Sequence, residues 1–254
     1  MKVTLLGTGT SGGVPLLGCH CPVCTSDDHR DKRLRTSALV ETDEGRRIVV
    51  DCGPDFRYQL LREDIVDIDA IILTHEHKDH TGGLDDVRAI NFVQRHSIPI
   101  YGTPRTLAAL RRQYDYVFEN PYPGAPRVEL HEISGEESFE VFGQTVEPIQ
   151  LMHARMPVLG FRFGDFTYIT DASSISDSEK EKAKNSKVLV LNALRREKHV
   201  SHFSLEEALE LVDELNPNQT YLTHISHQLG LHRVVETELP AKVNLGYDRL
   251  KLYL

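Results

Sequence analysis

Short apolar runs rich in valine, isoleucine and leucine recur along the whole chain, separated by glycine, proline and charged residues. Runs of this kind read as strands, and amphipathic stretches between them read as helices. "KVTLLG" is a first strand that runs into the glycine-rich "GTGTSGGVP". "SALVET" and "RRIVVDCG" predict a hairpin turning at Asp43-Glu44-Gly45, and a helix follows from Pro54 to about Arg62. "IDAIILTH" has the pattern of a buried strand, "GGLDDVRAINFVQR" that of a helix, "IPIYG" that of a short strand and "TPRTLAALRRQY" that of a helix. Three prolines and a glycine make "ENPYPGAPR" a loop. Beyond it, "RVELHEI", "QTVEPIQL", "LGFRFG" and "FTYIT" read as strands. "KVLVLN" precedes the helical "SLEEALELVDEL", and "QTYLTHIS" precedes a short helical end. Strands at both ends with helices interspersed predict two sheets with helices outside, folded as one domain over residues 1–254.

Composition narrows the class. A chain of 254 residues, 40% hydrophobic and 26% charged, can bury a full core and has the make-up of a globular protein. Its formal net charge of −9 argues against a broad nucleic-acid or anionic-membrane footprint. No apolar stretch approaches a membrane span. The opening "MKVTLLGTGTSGG" lacks the apolar core of a secretory signal, so a cytoplasmic location is expected. Glycines after a first strand invite a dinucleotide-binding reading, but Val14-Pro15 and a cysteine loop follow where that motif needs a helix.

Two clusters carry candidate chemistry. "GCHCPVC", Gly18 to Cys24, holds three of the four cysteines, which leaves a disulfide, a redox pair or an incomplete metal site open. In a reducing compartment the metal or redox readings gain weight. His20 reads as a bystander and Cys52 as a small buried residue. "THEHKDH" offers His75, His77, Asp79 and His80 directly after a buried strand. Residues i and i+2 on an extended exit point the same way, and two more ligands at a helix start turn toward a neighbouring point. That arrangement suits two adjacent divalent ions, with zinc, manganese or iron favoured by mixed imidazole and carboxylate. His153, Asp171 and His224 each end an apolar strand as well, and a carboxylate such as Asp171 can bridge two ions with its two oxygens.

The "HxHxDH" element with downstream His, Asp and His resembles the metallo-β-lactamase superfamily. The resemblance covers nearly the whole chain and implies an α/β fold, a four-layer αβ/βα sandwich with a binuclear centre at one edge of the sheets. It implies that His75, His77 and His153 hold one ion, that Asp79, His80 and His224 hold the other, and that Asp171 bridges. It gives Asp51, in "VVDCG", the choice between supporting the metal loop from beneath and capping a turn.

"GTGTSGGVPLLGCHCPVC" together with "THISHQ" is similar to the PhnP-like phosphodiesterases of the carbon–phosphorus lyase pathway, which open phosphoribosyl 1,2-cyclic phosphate. That likeness implies a structural zinc on Cys19, Cys21, Cys24 and His227, a closed site in a loop at about 18–24. It also implies a small cyclic phosphodiester as substrate, of the phosphoribosyl 1,2-cyclic or 2′,3′-cyclic nucleotide type. Two active-site ions, zinc or manganese, would generate a hydroxide that attacks phosphorus. Asp79 and Asp171 would serve that chemistry, and a histidine of "REKHVSHFS" would protonate the leaving oxygen. His202 matches that position better than His199, and its structural reading is a loop residue before a helix capped by Ser204.

The stretch "RRQYDYVFENPYPGAPR" departs from those enzymes, so Tyr114, Tyr116, Phe118 and Tyr122 either line a pocket or pack a loop. Other readings are a tRNA-processing nuclease, for which no inserted basic arm is visible, a lactone or thiolester hydrolase, and a non-catalytic protein of the pyrroloquinoline quinone pathway. The expected partners are a small phosphodiester and, as in related enzymes, a second copy in a homodimer; no membrane is expected.

Overall fold

A computed structural model describes residues 1–119 and 121–254; Asn120, within the predicted proline-rich loop, lies outside the described residues. The predicted hairpin forms, with Ser37–Glu41 antiparallel to Arg47–Val50 and Glu41 opposite Arg47. Lys2–Gly7 flanks it on one side, antiparallel, and in turn pairs with Lys251–Tyr253. On the other side Ala70–Ile72, Ile98–Gly102 and Val128–Glu132 continue the sheet in parallel.

The second sheet repeats the plan. Gln144–His153, Met156–Phe163 and Phe166–Ile169 run antiparallel, and Val188–Asn192, Gln219–Thr223 and Val243–Leu245 follow in parallel. Parallel neighbours need a crossover, and helices supply it. Phe56–Arg62 precedes Ala70–Ile72, Asp177–Ala183 precedes Val188–Asn192, and Leu205–Leu215 precedes Gln219–Thr223.

Strand residues alternate between two apolar environments, which is why the central strands read as unbroken apolar runs. Val50 and Ile72 face Phe161, Tyr168 and Val190 between the sheets. Val49 and Ile71 face Phe56, Leu60 and Leu107 on one outer side. Leu189, Leu191 and Leu222 face Ala208, Leu211 and Leu215 on the other. The result is the expected four-layer αβ/βα sandwich.

Local signals set the helix starts. Thr103 caps Pro104–Gln113 by accepting from the Thr106 amide. Ser204 forms a reciprocal capping box with Glu207 at the head of Leu205–Leu215. The helix Asp177–Ala183 was not predicted; it buries only Ala183, so "DSEKEKA" carries no apolar period. The tyrosine-rich stretch resolves toward packing. Tyr114 is buried and donates its hydroxyl to the Thr81 carbonyl at 2.9 Å. Asp115–Phe118 forms a short helix, and Tyr116 and Phe118 pack on the same core, while Tyr122 stays exposed.

One buried histidine is structural. The His232 amide donates to Asp31 at 2.8 Å, and its Nδ1 lies 3.1 Å from the buried Arg33 guanidinium. Burial, reinforced by Arg33, lowers the imidazole from 6.5 to about 4. An unfolded histidine protonates near 6.5, so this contribution to stability is complete above about that pH and drains as pH falls toward 4. Urea midpoints at pH 7 and pH 5 should therefore differ more in the unmodified protein than in His232→Gln. Equal differences would remove His232 as a source of acid sensitivity.

Candidate metal centre

The functional side chains stand where strands end. Asp51 follows Arg47–Val50, His75 follows Ala70–Ile72, Asp171 follows Phe166–Ile169, His224 follows Gln219–Thr223, and His153 is the last residue of its strand. Three of these residues leave their strands through left-handed backbone: Asp51 at φ 62°, Asp171 at φ 54° and His224 at φ 53°. Left-handed non-glycine residues are uncommon and concentrate at functional sites. The metal loop continues from His75 into a single turn of helix, Lys78–Thr81. Gly53 lies against that turn, and a Cβ there would fall 1.9 Å from the Asp79 carbonyl oxygen, so only glycine lets the loop approach.

Asp171 is the meeting point. Its Oδ2 lies 3.8 Å from His75 Nε2, 3.4 Å from His80 Nε2 and 3.5 Å from His202 Nε2, and its Oδ1 lies 2.8 Å from His224 Nδ1. Asp79 Oδ2 is 3.3 Å from His80 Nε2. His77 and His153 close the group, with ring centroids 5.2 Å apart. Ligand-type atoms converge within 4.8 Å in three sets that share Asp171: with His75 and His80, with His77 and His153, and with His202 and His224.

The rings are held by their other nitrogens. Asp51 Oδ2 takes His80 Nδ1 at 2.7 Å, while its Oδ1 accepts from the Thr74 amide at 2.9 Å, so this carboxylate supports the metal loop. The Ser201 carbonyl takes His153 Nδ1 at 2.7 Å, and Thr74 Oγ1 lies 3.0 Å from His75 Nδ1. Orienting partners of this sort fix tautomer and ring direction. Thr10 and Thr36 lie beside His224, at 3.2 and 3.3 Å, and the sequence alone gave no reason to select them. Glu76 pairs with Arg105 at 2.6 Å, tying the loop to helix Pro104–Gln113.

Charge follows from this packing. Burial would push Asp171 up, but the rings of His224, His80 and His202 outweigh it and hold the carboxyl well below its usual range. Burial would lower His80; Asp171 and Asp51 reverse that and raise it well above 6.5. Burial, with His80 adding to it, keeps His75 well below 6.5.

The donor set fits divalent metal. His75 and His80 each bury an Nε2 that makes no hydrogen bond among the described residues. Buried polar atoms left unpaired are costly, and a cation among them answers the cost.

A second cluster lies nearby. Cys19, Cys21, Cys24 and His227 bring their ligand atoms within 4.8 Å of one another. His227 Nδ1 is 3.3 Å from both Cys19 Sγ and Cys21 Sγ. The His227 contact lowers the Cys21 thiol to about 6, and burial raises Cys24 to about 11. Four such donors match a closed tetrahedral zinc site. Cys52 is buried elsewhere in the core, as expected of a non-ligand. His199 reaches His202 with its Nδ1, at 3.2 Å, but only His202 faces Asp171.

A Beta-lactamase superfamily domain matches residues 46–225, and the chain belongs to that superfamily. Within it the chain is PhnP-like: it is 40% identical to a diphosphatase of the PhnP family, whose crystal structure it covers to 97%, with all of this chain aligned and a TM-score of 0.93. It is also 44% identical, over 99% of its length, to a protein of Porphyromonas gingivalis named octanoyltransferase. The chain spans about half of that relative, 51%. Zinc-bound PqqB of Methylobacterium extorquens shares the fold, at 20% identity over the whole of both chains and a TM-score of 0.78. The fold implies divalent-metal binding. Among the described residues no helix is long and apolar enough to cross a membrane.

Proposed function

We propose that this chain is a metal-dependent hydrolase of phosphoric diesters, acting on a small cyclic phosphodiester of the phosphoribosyl 1,2-cyclic or 2′,3′-cyclic nucleotide type. The observation that carries the reading is the convergence of buried imidazoles with unpaired Nε2 atoms on the single carboxylate of Asp171. His75, His77 and His153 would hold one ion and Asp79, His80 and His224 the other, with Asp171 between them. Two divalent cations, zinc or manganese, would supply charge neutralisation at phosphoryl oxygens and would acidify water.

The chain's own residues do the rest. Asp51, Thr74 and the Ser201 carbonyl lock ring orientations, so the donors need little reorganisation when substrate arrives. His202 presents Nε2 to the same centre and holds the proton for the leaving oxygen. Burial lowers its imidazole to about 4, against the pull of Asp171, and an anionic phosphate beside the ring supplies the counter-charge that favours its protonated form. The sharing of Asp171 among three sets of converging donors supports hydrolysis over a non-catalytic role in a cofactor pathway.

The PhnP-family relative is described as a diphosphatase, which favours a second reading in which the bond cleaved is a phosphoanhydride. The transferase name of the Porphyromonas protein is borne by a chain twice as long, so an octanoyl thioester belongs in the test. The panel is bis-p-nitrophenyl phosphate, 2′,3′- and 3′,5′-cyclic nucleotides, ribosyl cyclic phosphate, a nucleoside diphosphate, a lactone, an octanoyl thioester and a pre-tRNA. Cleavage of cyclic diesters supports the first reading, and cleavage of the diphosphate alone supports the second. Turnover confined to the lactone or thioester would overturn both. His202→Ala should lower turnover of a diester with a poor leaving group about 100-fold and spare a p-nitrophenyl ester. Equal loss on both substrates would remove the proton-donor role.

A further inference from the structure

We infer that Arg155 holds a second phosphate of the substrate, beyond the scissile one, so that the preferred substrates are cyclic diesters of sugars that also carry a terminal phosphate monoester. This rests on the diester reading above and narrows its substrate. Arg155 stands at the tip of the hairpin between Gln144–His153 and Met156–Phe163, where His153 pairs with Met156 and only Ala154 and Arg155 make the turn. The ring of His153 stands against those of His77 and His202, with centroids 5.2 and 4.6 Å away, so this turn belongs to the rim of the centre.

The turn is held in place from both sides. Ala154 takes left-handed backbone, φ 55°, at a position where two-residue hairpins favour glycine. Its Cβ narrows the conformations open to the tip. Ser173 pins the turn: its hydroxyl accepts from the Ala154 amide at 3.0 Å and donates to the Met152 carbonyl at 2.9 Å, while its amide donates to the same carbonyl at 2.7 Å. Ser173 lies two residues after Asp171, so the segment that carries the shared carboxylate also fixes the turn that carries Arg155.

Other segments of the centre carry cations too, but the protein engages them. Arg35 is paired with Asp55 at 3.0 Å, Arg105 with Glu76 at 2.6 Å and Lys198 with Glu207 at 3.6 Å. Lys78 lies over the Tyr114 ring, its Nζ 5.3 Å from the centroid. Arg155 is exposed and makes no ion pair or side-chain hydrogen bond among the described residues. A guanidinium fork matches phosphate oxygens two at a time. The ions would engage the oxygens of the scissile phosphorus, which leaves Arg155 for a group farther along the substrate. On a pentose, position 5 lies across the ring from a 1,2- or 2,3-cyclic ester, and a phosphate there projects from the ions toward the rim.

Two pairs of substrates test this on the full chain loaded with zinc or manganese: ribose 1,2-cyclic phosphate and adenosine 2′,3′-cyclic phosphate, each with and without a phosphate at position 5. The unmodified protein should favour the phosphorylated member of a pair by about 10–100-fold in kcat/KM, the range of a charged hydrogen-bonded contact. Arg155→Ala should bring that ratio to near parity, mainly through KM. Arg155→Lys should keep an intermediate ratio, because the charge stays and the fork is lost. A ratio near one in the unmodified protein, or one undiminished in Arg155→Ala, would overturn the inference and leave the diester reading standing. If no cyclic ester is cleaved, the diester reading fails by itself, and calorimetric titration decides on Arg155. Ribose 1,5-bisphosphate should then bind at least ~10-fold more tightly than ribose 1-phosphate, and Arg155→Ala should erase the difference. Equal binding of the two by the unmodified protein, or a difference that survives the substitution, would overturn the inference.

Discussion

Asp171→Ala should lower turnover of bis-p-nitrophenyl phosphate by at least ~10³-fold, well beyond the 10–100-fold expected for an outer orienting partner. Three sets of converging ligand atoms share this one carboxylate, so its loss removes a donor from every grouping at once. It also removes the carboxylate that lies 3.4 Å from His80 Nε2 and 2.8 Å from His224 Nδ1. The variant should therefore bind fewer active-site ions, measured by plasma mass spectrometry after desalting, in parallel with its lost activity. Asp171→Asn separates the causes, because it keeps the shape and one oxygen while losing the charge. Full metal content and turnover within tenfold of the unmodified protein in either variant would sink the bridging assignment.

Cys21→Ser should act on stability first. Structural zinc in small domains contributes about 10–16 kcal/mol of binding free energy to folding. Here the loop has only a small apolar cluster of its own, Val14, Val23 and Cys24 with Leu231 packed on it. A further tie to the C-terminal segment is the ligand set itself, through His227. Even a few kcal/mol would lower the melting temperature by about 10 °C, at ~2–4 °C per kcal/mol for a chain of this size. Zinc content should fall by one ion per chain, while the initial turnover of freshly purified, folded protein stays within severalfold. Unchanged zinc and melting temperature would mean that the cluster holds no metal.

Much of the fold was legible because its strands are continuous apolar runs bounded by glycine and charge. The hairpin at Asp43-Glu44-Gly45 and the capped helix after Ser204 carry signals within a few residues, and both form. The helix Asp177–Ala183 and the short strands Phe139–Val141 and Lys251–Tyr253 were not read, because each is held mainly by what it packs or pairs with. Lys251–Tyr253 in particular exists as a strand through pairing with Lys2–Gly7, at the far end of the sequence.

The candidate ligands were legible for a different reason: singly, His153, Asp171 and His224 read as structural residues, but with His75 they make four donors that each follow an apolar strand, and together they stand out. What surrounds them was not. Thr10, Thr36 and the Ser201 carbonyl are ordinary residues or backbone, and only the closing of two sheets brings them to His224 and His153. The tyrosine-rich stretch left packing and pocket equally open, because an aromatic side chain serves both; Tyr114 settled inward once its hydroxyl found the Thr81 carbonyl.

The left-handed exits at Asp51, Asp171 and His224 bear on how this centre can change over generations. Aspartate, asparagine and histidine are among the few non-glycine residues that enter that conformation readily. They also supply oxygen and nitrogen donors suited to zinc or manganese. A mutation at Asp171 or His224 meets two filters, one set by the backbone and one by coordination, and at Asp51 the second is set by its hydrogen bonds to His80 and Thr74. Drift there is confined to a few neighbouring codons.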